Sequence, residues 1–346
     1  MANILDIKRR IRSVINTRQI TKAMKMVSAA KLRRAQDRAL AARPYAQMLT
    51  HVLKSLVSRA EIYDPETGEP RHPLLAQREE GNILLIVVTG DKGLAGAFNS
   101  NILKSAMQFI GDKSGKNIEI EAIGRKGRDF LRRRFPAEPR AVDSGEARRT
   151  TVTGEKVGVL NKVDHALATG IAERVIERYS QGEIDSVYLL FNEFKSVIQQ
   201  RLVVERVLPI VEIGVAEVAQ ARELTQKEKE EAKRAAISAG VGLRSTETRE
   251  IDAAAAKFAN APVDYIYEQS PAELFNDLLP KYVGIQIFHA LLESVAAEHA
   301  ARMTAMESAT NNATDMIDSL TLAMNRARQA KITKEIIEIV SGAAAQ

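Results

Sequence analysis

Leu292–Ala327 reads LESVAAEHAARMTAMESATNNATDMIDSLTLAMNRA, and this stretch decides the fold. Apolar and small residues recur in it every 3.5 residues over five heptads, and Thr310 and His299 are the imperfect members. The repeat consists of Leu292, Val295, His299, Met303, Met306, Thr310, Ala313, Ile317, Leu320, Met324 and Ala327. Residues 285–341 contain no Gly or Pro for 57 positions, which corresponds to a helix of about 85 Å. A sustained period of 3.5 predicts a left-handed coiled coil.

The beginning of the chain shows a second seam of the same kind. Residues 1–43 lack Gly and Pro, and apolar residues are spaced by three and four positions. This seam consists of Ile4, Ile7, Ile11 and Val14, followed after a phase shift by Ile20, Met24 and Val27. Because neither helix can bury such a seam alone, the sequence predicts that the two chain ends pair antiparallel.

The middle of the chain has a different pattern. Asn82–Thr89 is a continuous apolar run typical of a buried parallel strand. It is followed by a glycine-rich turn at Gly90–Asn99 and by further segments with helical or strand spacing. These are a helix over Asn101–Ile110, a strand over Asn117–Ile123, helices over Arg125–Phe135 and Val157–Tyr179, and a hairpin of Asp185–Phe191 with Arg201–Val207. The alternation predicts a Rossmann-like α/β domain inserted between the two coiled-coil helices.

The sequence therefore predicts four segments. These are an N-terminal coiled-coil helix at 1–60, an α/β domain at 80–210, a charged insertion at 212–260 and a C-terminal coiled-coil helix at 271–346. The insertion contains QKEKEEAKRAA and shows no strand signal, so we expect a solvent-facing helix or a flexible segment there.

Charge is unevenly distributed along the 346 residues. Residues 1–60 hold fourteen basic and two acidic side chains, whereas the whole chain is only +6. A basic arm implies a partner that carries negative charge, and nucleic acid, anionic lipid and an acidic protein loop all qualify. No apolar run is long enough to span a bilayer, and the N-terminus has no signal-peptide pattern, so a cytosolic chain is expected.

Candidate chemistry is sparse. The glycines at 90, 93 and 96 match neither the dinucleotide fingerprint nor the P-loop. The five histidines lack metal-ligand spacing, and the chain has no cysteine. We therefore expect no catalytic residue, no cofactor and no metal. A nucleic-acid arm is also disfavoured, because the basic residues are interleaved with the apolar seam and no aromatic residue precedes Tyr45.

Three stretches resemble one family. Asp6–Gln36, the loop GDKGLAGAFNSNI at Gly90–Ile102, and Ala300–Gly342 are similar to the γ subunit of F-type ATP synthases. The resemblance implies a central stalk that turns inside a ring of α and β subunits and contacts the ε subunit and the membrane rotor ring with its foot. It also implies a peripheral location at the cytoplasmic face of the cell membrane.

The same resemblance implies which residues contact the ring. They are Met24, Lys25, Arg33, Arg34, Arg328, Gln329 and Thr333. The alternative from the residue pattern is a coiled-coil scaffold or a nucleic-acid-organising protein with an α/β head. A dinucleotide-binding enzyme with helical extensions is the third interpretation.

Overall fold

The computed structural model describes residues 4–57, 70, 72–136, 150–211, 213, 217–242 and 270–344. Two long helices, α1 (Ile4–Val57) and α6 (Pro271–Ala344), pack against each other, and an α/β domain lies between them in sequence. This architecture confirms the predicted fold class. None of the described helices is long and apolar enough to cross a membrane.

The two long helices are antiparallel. Lys25 Nζ lies 2.6 Å from Glu307 Oε2, and Thr310 Oγ1 donates a hydrogen bond of 2.8 Å to Thr21 Oγ1, so residue numbers run in opposite directions along the pair. Continued to the start of α1, this register ends close to Arg328 of α6. The remainder of α6 therefore extends beyond its partner as a single helix, and we call residues 328–344 the overhang.

The C-terminal seam is confirmed by burial. Met303, Met306 and Ala313 are buried against α1 and the domain, and the members from Ile317 to Ala327 are partly buried. The seam therefore keeps its 3.5-residue period up to the point where it reaches the N-terminus of α1.

The N-terminal seam was only partly predicted correctly. Ile7 is buried, but Ile20 is 59% and Val27 is 56% exposed, so their assignment to the seam was wrong. Thr21, Lys25 and Ser28 occupy the inner positions instead. They can do so because Thr310 and Glu307 supply polar partners across the interface.

The elements of the α/β domain are β1 (Asn82–Val88), α2 (Phe98–Asp112), β2 (Asn117–Ile123), α3 (Arg125–Arg134), β3 (Thr150–Lys156), α4 (His165–Ser180), β4 (Ser186–Phe194), β5 (Gln200–Leu208), β6 (Glu217–Glu223) and α5 (Gln226–Ser238). The strands form one six-stranded sheet in the order β3-β2-β1-β4-β5-β6, in which β1 to β4 are parallel and β5 pairs antiparallel with both β4 and β6. The predicted strands and hairpin are present, whereas β3 was not predicted. The helix predicted over Val157–Tyr179 begins later, at His165, after a 3₁₀ turn at Val159–Asn161.

The segment expected to face solvent belongs partly to the core. β6 pairs with β5, and α5 buries Ala232, Ala235 and Ala236 in one cluster with Leu32 of α1. The expectation failed because alanine lets a helix approach its neighbours closely without large apolar side chains. Residues 243–260 of the predicted insertion lie outside the described residues.

The sheet has a hydrophobic core on each face. One core joins the sheet to α4 and the first turns of α6, and the other joins it to α2, α5 and the middle of α1. Residues Phe275–Leu292 of α6 belong to the first core and Ala296–Met303 to the second. Helix α6 thus passes from one face of the sheet to the other and fixes the domain to the helix pair.

The observed phase of the α1 seam can be tested with a matched pair of substitutions. Leu32→Ala removes a fully buried side chain and should lower the free energy of unfolding by about 2–5 kcal/mol. Ile20→Ala should change it by less than about 0.5 kcal/mol, because that side chain is exposed. Urea unfolding followed by circular dichroism measures both, and a larger loss for Ile20→Ala would contradict the register.

Candidate functional site

The candidate site is the junction where α6 crosses the carboxyl ends of the parallel strands. Strand β1 has β4 as its neighbour on one edge. The next strand in sequence, β2, pairs with its other edge, so the strand order reverses between β1 and β4. In open α/β sheets such a switch point forms the crevice in which ligands bind. Here the glycine-rich turn after β1 faces that crevice.

Helix α6 fills the crevice beside the turn. A Cβ atom at Gly90 would lie 2.7 Å from Glu298 Oε1, and one at Gly96 would lie 3.7 Å from the Ala305 Cβ. The absence of a side chain at Gly90 thus makes room for the α6 carboxylate. The turn therefore packs close to α6 through small residues.

A buried ion pair within α6 lies against the turn. Arg302 Nη2 donates to Glu298 Oε1 at 2.5 Å, and the same guanidinium lies 3.4 Å from the Gly93 carbonyl oxygen. Both side chains are buried. Removing either side chain would leave the other charge buried and unpaired, which is strongly destabilising. The junction is therefore held by a directed polar contact as well as by apolar packing.

The base of the turn is also rigid. Thr89 is fully buried, donates to the Ile123 carbonyl oxygen at 3.0 Å and accepts from Gly127 N at 2.8 Å. Gly124 has φ +95°, and a Cβ atom there would meet the Thr89 carbonyl oxygen at 1.9 Å. The turn is thus anchored to the next strand and helix.

Four of the residues predicted to contact a partner lie on α1, near this junction. Met24 is half-buried, and Lys25 is buried between Glu307 and the Ser238 hydroxyl at 3.3 Å. Arg33 donates to the Gly240 carbonyl oxygen after α5, and Arg34 is exposed. The ammonium of Lys25 therefore has its counter-ion within the chain.

The other three predicted contact residues lie on the overhang. Arg328, Gln329 and Thr333 are exposed, and the Thr333 hydroxyl donates to the Gln329 carbonyl oxygen within the helix. About 20 residues separate them from the part of α6 opposite Lys25, or about 30 Å along the axis. The structure thus divides the seven residues into two groups that do not meet.

An acidic cluster between α6 and the β4–β5 hairpin was missed at the sequence level. His289 Nε2 lies 3.1 Å from Glu293 Oε1, while Glu293 Oε2 is buried without a hydrogen-bond partner among the described residues. Burial raises the pKa of Glu293, and Glu193 and Glu205 raise it further. Burial also raises the pKa of Glu205 to about 7. The cluster therefore holds protons near neutral pH.

Glu298 and Arg302 were also missed, although a weak signal was present. They lie four residues apart, on a helix whose seam residues surround them. A charged pair at this spacing is ordinarily solvent-exposed, so only the tertiary structure shows that it faces the turn. The described part of the chain contains no group of three or more His, Cys, Asp or Glu side chains suited to a metal ion.

Sequence comparison identifies full-length relatives. A family model described as ATP synthase matches residues 3–346. The ATP synthase gamma chain of Solibacter usitatus is 50% identical over 345 residues, covering 100% of this chain and 99% of the relative. That of Anaeromyxobacter sp. strain Fw109-5 is 43% identical over 347 residues, with coverage of 100% and 99%. Residues 212–260 therefore have a counterpart in these relatives.

Structural comparison finds the same fold in more distant chains. A chain of the Euglena gracilis mitochondrial ATP synthase structure has a TM-score of 0.52 at 17% identity, covering 99% of this chain and 94% of that one. A chain of the Tetrahymena thermophila central stalk and c-ring structure has a TM-score of 0.50 at 23% identity, covering 84% and 99%. At these identities the likeness concerns the fold alone.

The buried Lys25–Glu307 pair provides a stability test. Lys25→Ala should lower the free energy of unfolding by about 3 kcal/mol, because Glu307 is left unpaired at the interface. The matched control Lys22→Ala, three residues away and exposed, should change it by less than about 0.5 kcal/mol. Replacing both partners, Lys25→Met with Glu307→Leu, should restore most of the loss. Equal effects of Lys25→Ala and Lys22→Ala in urea unfolding would contradict the buried pair.

The acidic cluster provides a pH test. The pKa of Glu205 is about 7 in the folded chain, above its unfolded value, so its stabilising contribution is present at low pH and is lost as pH rises through 7. Burial lowers the pKa of His289, so the stability that its neutral imidazole contributes is lost as the pH falls below 6.5. Glu205→Gln isolates the first effect: the variant should gain about 2 kcal/mol relative to wild type between pH 5 and 7.5. The exposed control Glu230→Gln should show no such gain, and a flat difference for Glu205→Gln would contradict the protonated cluster.

Proposed function

The chain belongs to the ATP synthase γ-chain family, and on that premise we propose that it is the central rotor stalk of a proton-translocating F-type ATP synthase. In this role it transmits torque between a membrane rotor ring and a ring of α and β subunits, which carries the catalytic sites. The chain itself supplies no catalytic residue and needs no cofactor. Segments 1–60 and 271–346 form the shaft, and the α/β domain, whose sheet extends to β6, forms the foot.

The observation that carries this proposal is the overhang. Along it Ile332, Ile336 and Ile339 are 48%, 55% and 71% exposed, and Ile337 and Val340 are exposed as well. A contiguous apolar surface of this kind indicates a partner. A single helix with apolar residues around it suits the inside of a collar, where subunits surround it on all sides.

The two groups of predicted contact residues suit two levels of such a ring. Arg328, Gln329 and Thr333 lie at the start of the overhang, where the shaft enters the collar. Met24, Lys25, Arg33 and Arg34 lie about 30 Å closer to the foot, where a basic shaft would face acidic loops of the β subunits. Because Lys25 is already paired with Glu307, Arg34 is the stronger candidate for a direct charge contact.

The foot provides the remaining partner surfaces. We assign the ε subunit and the membrane rotor ring to the α/β domain, at the end of the shaft opposite the overhang. Such an assembly places the chain peripherally at the cytoplasmic face of the cell membrane. Arg302, which is paired with Glu298 on α6, contacts the Gly93 carbonyl oxygen of the glycine-rich turn. This contact and the two hydrophobic cores hold shaft and foot in one arrangement, which torque transmission requires.

Copurification tests the proposal directly. Low-salt washing of membranes from the source cell should release this chain together with α, β and ε in fixed stoichiometry. Recovery of the chain with nucleic acid, and without α and β, would instead support the scaffold interpretation.

The overhang can be tested by substitution. Ile332→Ser, Ile336→Ser and Ile339→Ser in one chain should weaken its association with the α/β ring more than tenfold, because each buried Ile contributes about 1.5–3 kcal/mol. The control Ile237→Ser, on an equally exposed Ile of α5, should leave association unchanged. Undiminished recovery of the triple variant with the ring would contradict the collar assignment.

A further inference from the structure

A recess of about 290 Å³ lies at the carboxyl edge of the sheet, on the face that packs against α5. Its walls come from the glycine-rich turn, the first turn of α2, β4, β5, the end of β6, α5 and α6. It therefore lies at the switch point between β1 and β4, where open α/β sheets bind ligands. Its volume is at the lower end of the range for small-molecule sites, roughly 300–1,000 Å³, so it suits a small ligand.

Asn192 is a buried amide without a partner in this recess. Its neighbours on the same face of β4, Leu190 and Phe194, belong to the apolar core, whereas Asn192 lines the recess and is only 9% exposed. Its side chain makes no hydrogen bond within the described part of the chain. Burying an amide in this state is unfavourable. The amide is therefore available to a ligand, both as a donor and as an acceptor.

The first turn of α2 supplies further hydrogen-bond donors. Helix α2 begins at Phe98, and its N-cap residue Ala97 provides no side-chain acceptor for the N–H groups of that turn. Such groups at a helix N-terminus bind a carbonyl oxygen or an anion. The Phe98 side chain also lines the recess, so an aromatic ring of a ligand can pack against it.

The charges of the recess select against an anion. Its charged lining side chains are one guanidinium and three carboxylates, those of Arg201, Glu223, Glu228 and Glu231. The guanidinium is paired with Glu193, which lies outside the recess. Glu231 is half-buried and makes no ion pair among the described residues. An anion would therefore meet an unpaired carboxylate and no available cation.

We propose that the recess binds an uncharged aromatic carboxamide. Its N–H₂ group donates to Asn192 Oδ1 and to the Glu231 carboxylate, and its carbonyl oxygen accepts from the first turn of α2. Its ring packs on Phe98. A carboxamide both donates and accepts, so it suits walls that neither a carboxylate nor an amine satisfies together. The bound molecule would connect the sheet, α5 and α6, and so stiffen the joint between shaft and foot.

The test uses the full chain in solution, without the ring, with nicotinamide as the probe. Nuclear magnetic resonance of labelled alanine methyl groups should show saturable shifts of Ala232 and Ala301, which line the recess. The methyl groups of Ala168 and Ala172, in the core on the other face of the sheet, should not shift. Nicotinate, which is charged and has no N–H₂ group, should bind at least tenfold more weakly. The same holds for 3-methylpyridine, which lacks the amide.

Asn192→Leu tests the buried amide. The variant places an apolar side chain of similar size between Leu190 and Phe194, so its melting temperature should rise, while its affinity for nicotinamide should fall at least tenfold. The matched control Asn311→Leu, at an exposed position of α6 outside the recess, should change the affinity less than twofold.

Glu231→Gln tests the charge selectivity. Removal of the unpaired carboxylate should bring the affinity for nicotinate to within threefold of that for nicotinamide. The control Glu230→Gln, an exposed neighbour that does not line the recess, should leave the preference for nicotinamide unchanged.

Three results would overturn the proposal. They are no saturable shift of the Ala232 and Ala301 signals, equal affinities of the unaltered chain for nicotinamide and nicotinate, and equal losses in Asn192→Leu and Asn311→Leu. Tighter binding of N-acetylasparagine amide than of nicotinamide would assign the recess to a side chain of a partner protein. Tighter binding of nicotinamide adenine dinucleotide would support the dinucleotide-binding interpretation, and either outcome overturns the proposal as well. None of these results depends on assembly with the ring, so they are independent of the rotor role.

Discussion

Burial of the two helix seams is the constraint on which the rest of the structure depends. Each long helix carries a narrow stripe of apolar and small residues that water would otherwise cover, and each is too long for the α/β domain to bury it. Antiparallel pairing buries both stripes together. The Lys25–Glu307 and Thr21–Thr310 contacts fix the register of that pairing. Once the register is fixed, the length by which α6 exceeds α1 also fixes the overhang.

The second consequence concerns the α/β domain. Its sheet has the strand order of a dinucleotide-binding domain, and yet α6 lies across the crevice at its carboxyl edge. Gly90 makes room for the Glu298 carboxylate, so the turn serves helix packing instead of cradling a cofactor. Function here follows from what the fold is attached to, which the fold alone does not reveal.

Much of this architecture could be predicted from the sequence. The 3.5-residue period of the C-terminal helix and the apolar run of β1 are local patterns, and they determine their elements. The phase of α1 could not be predicted, because Thr21 and Lys25 replace apolar residues only where α6 presents Thr310 and Glu307. Local hydrophobicity favours Ile20 at the seam, and the partner helix overrides it.

Strand β6 and helix α5 were unpredictable for a related reason. Alanine at 232, 235 and 236 gives no apolar signal comparable with leucine, although its small size permits close helix packing within the core that also contains Leu32. The Glu298–Arg302 pair and the Glu205–Glu293 cluster resemble surface charges until the domain closes over them. Buried charges are therefore the feature of this structure that its sequence pattern predicts least well.

The central claim is that the helix pair and the α/β domain turn as one body within a ring of catalytic subunits. Single-molecule observation tests it most directly, with the ring of the purified assembly fixed to a surface and a probe attached to an exposed residue of the α/β domain. During ATP hydrolysis the account predicts continuous rotation of the probe in one direction. A stationary probe on a complex that hydrolyses ATP would contradict it.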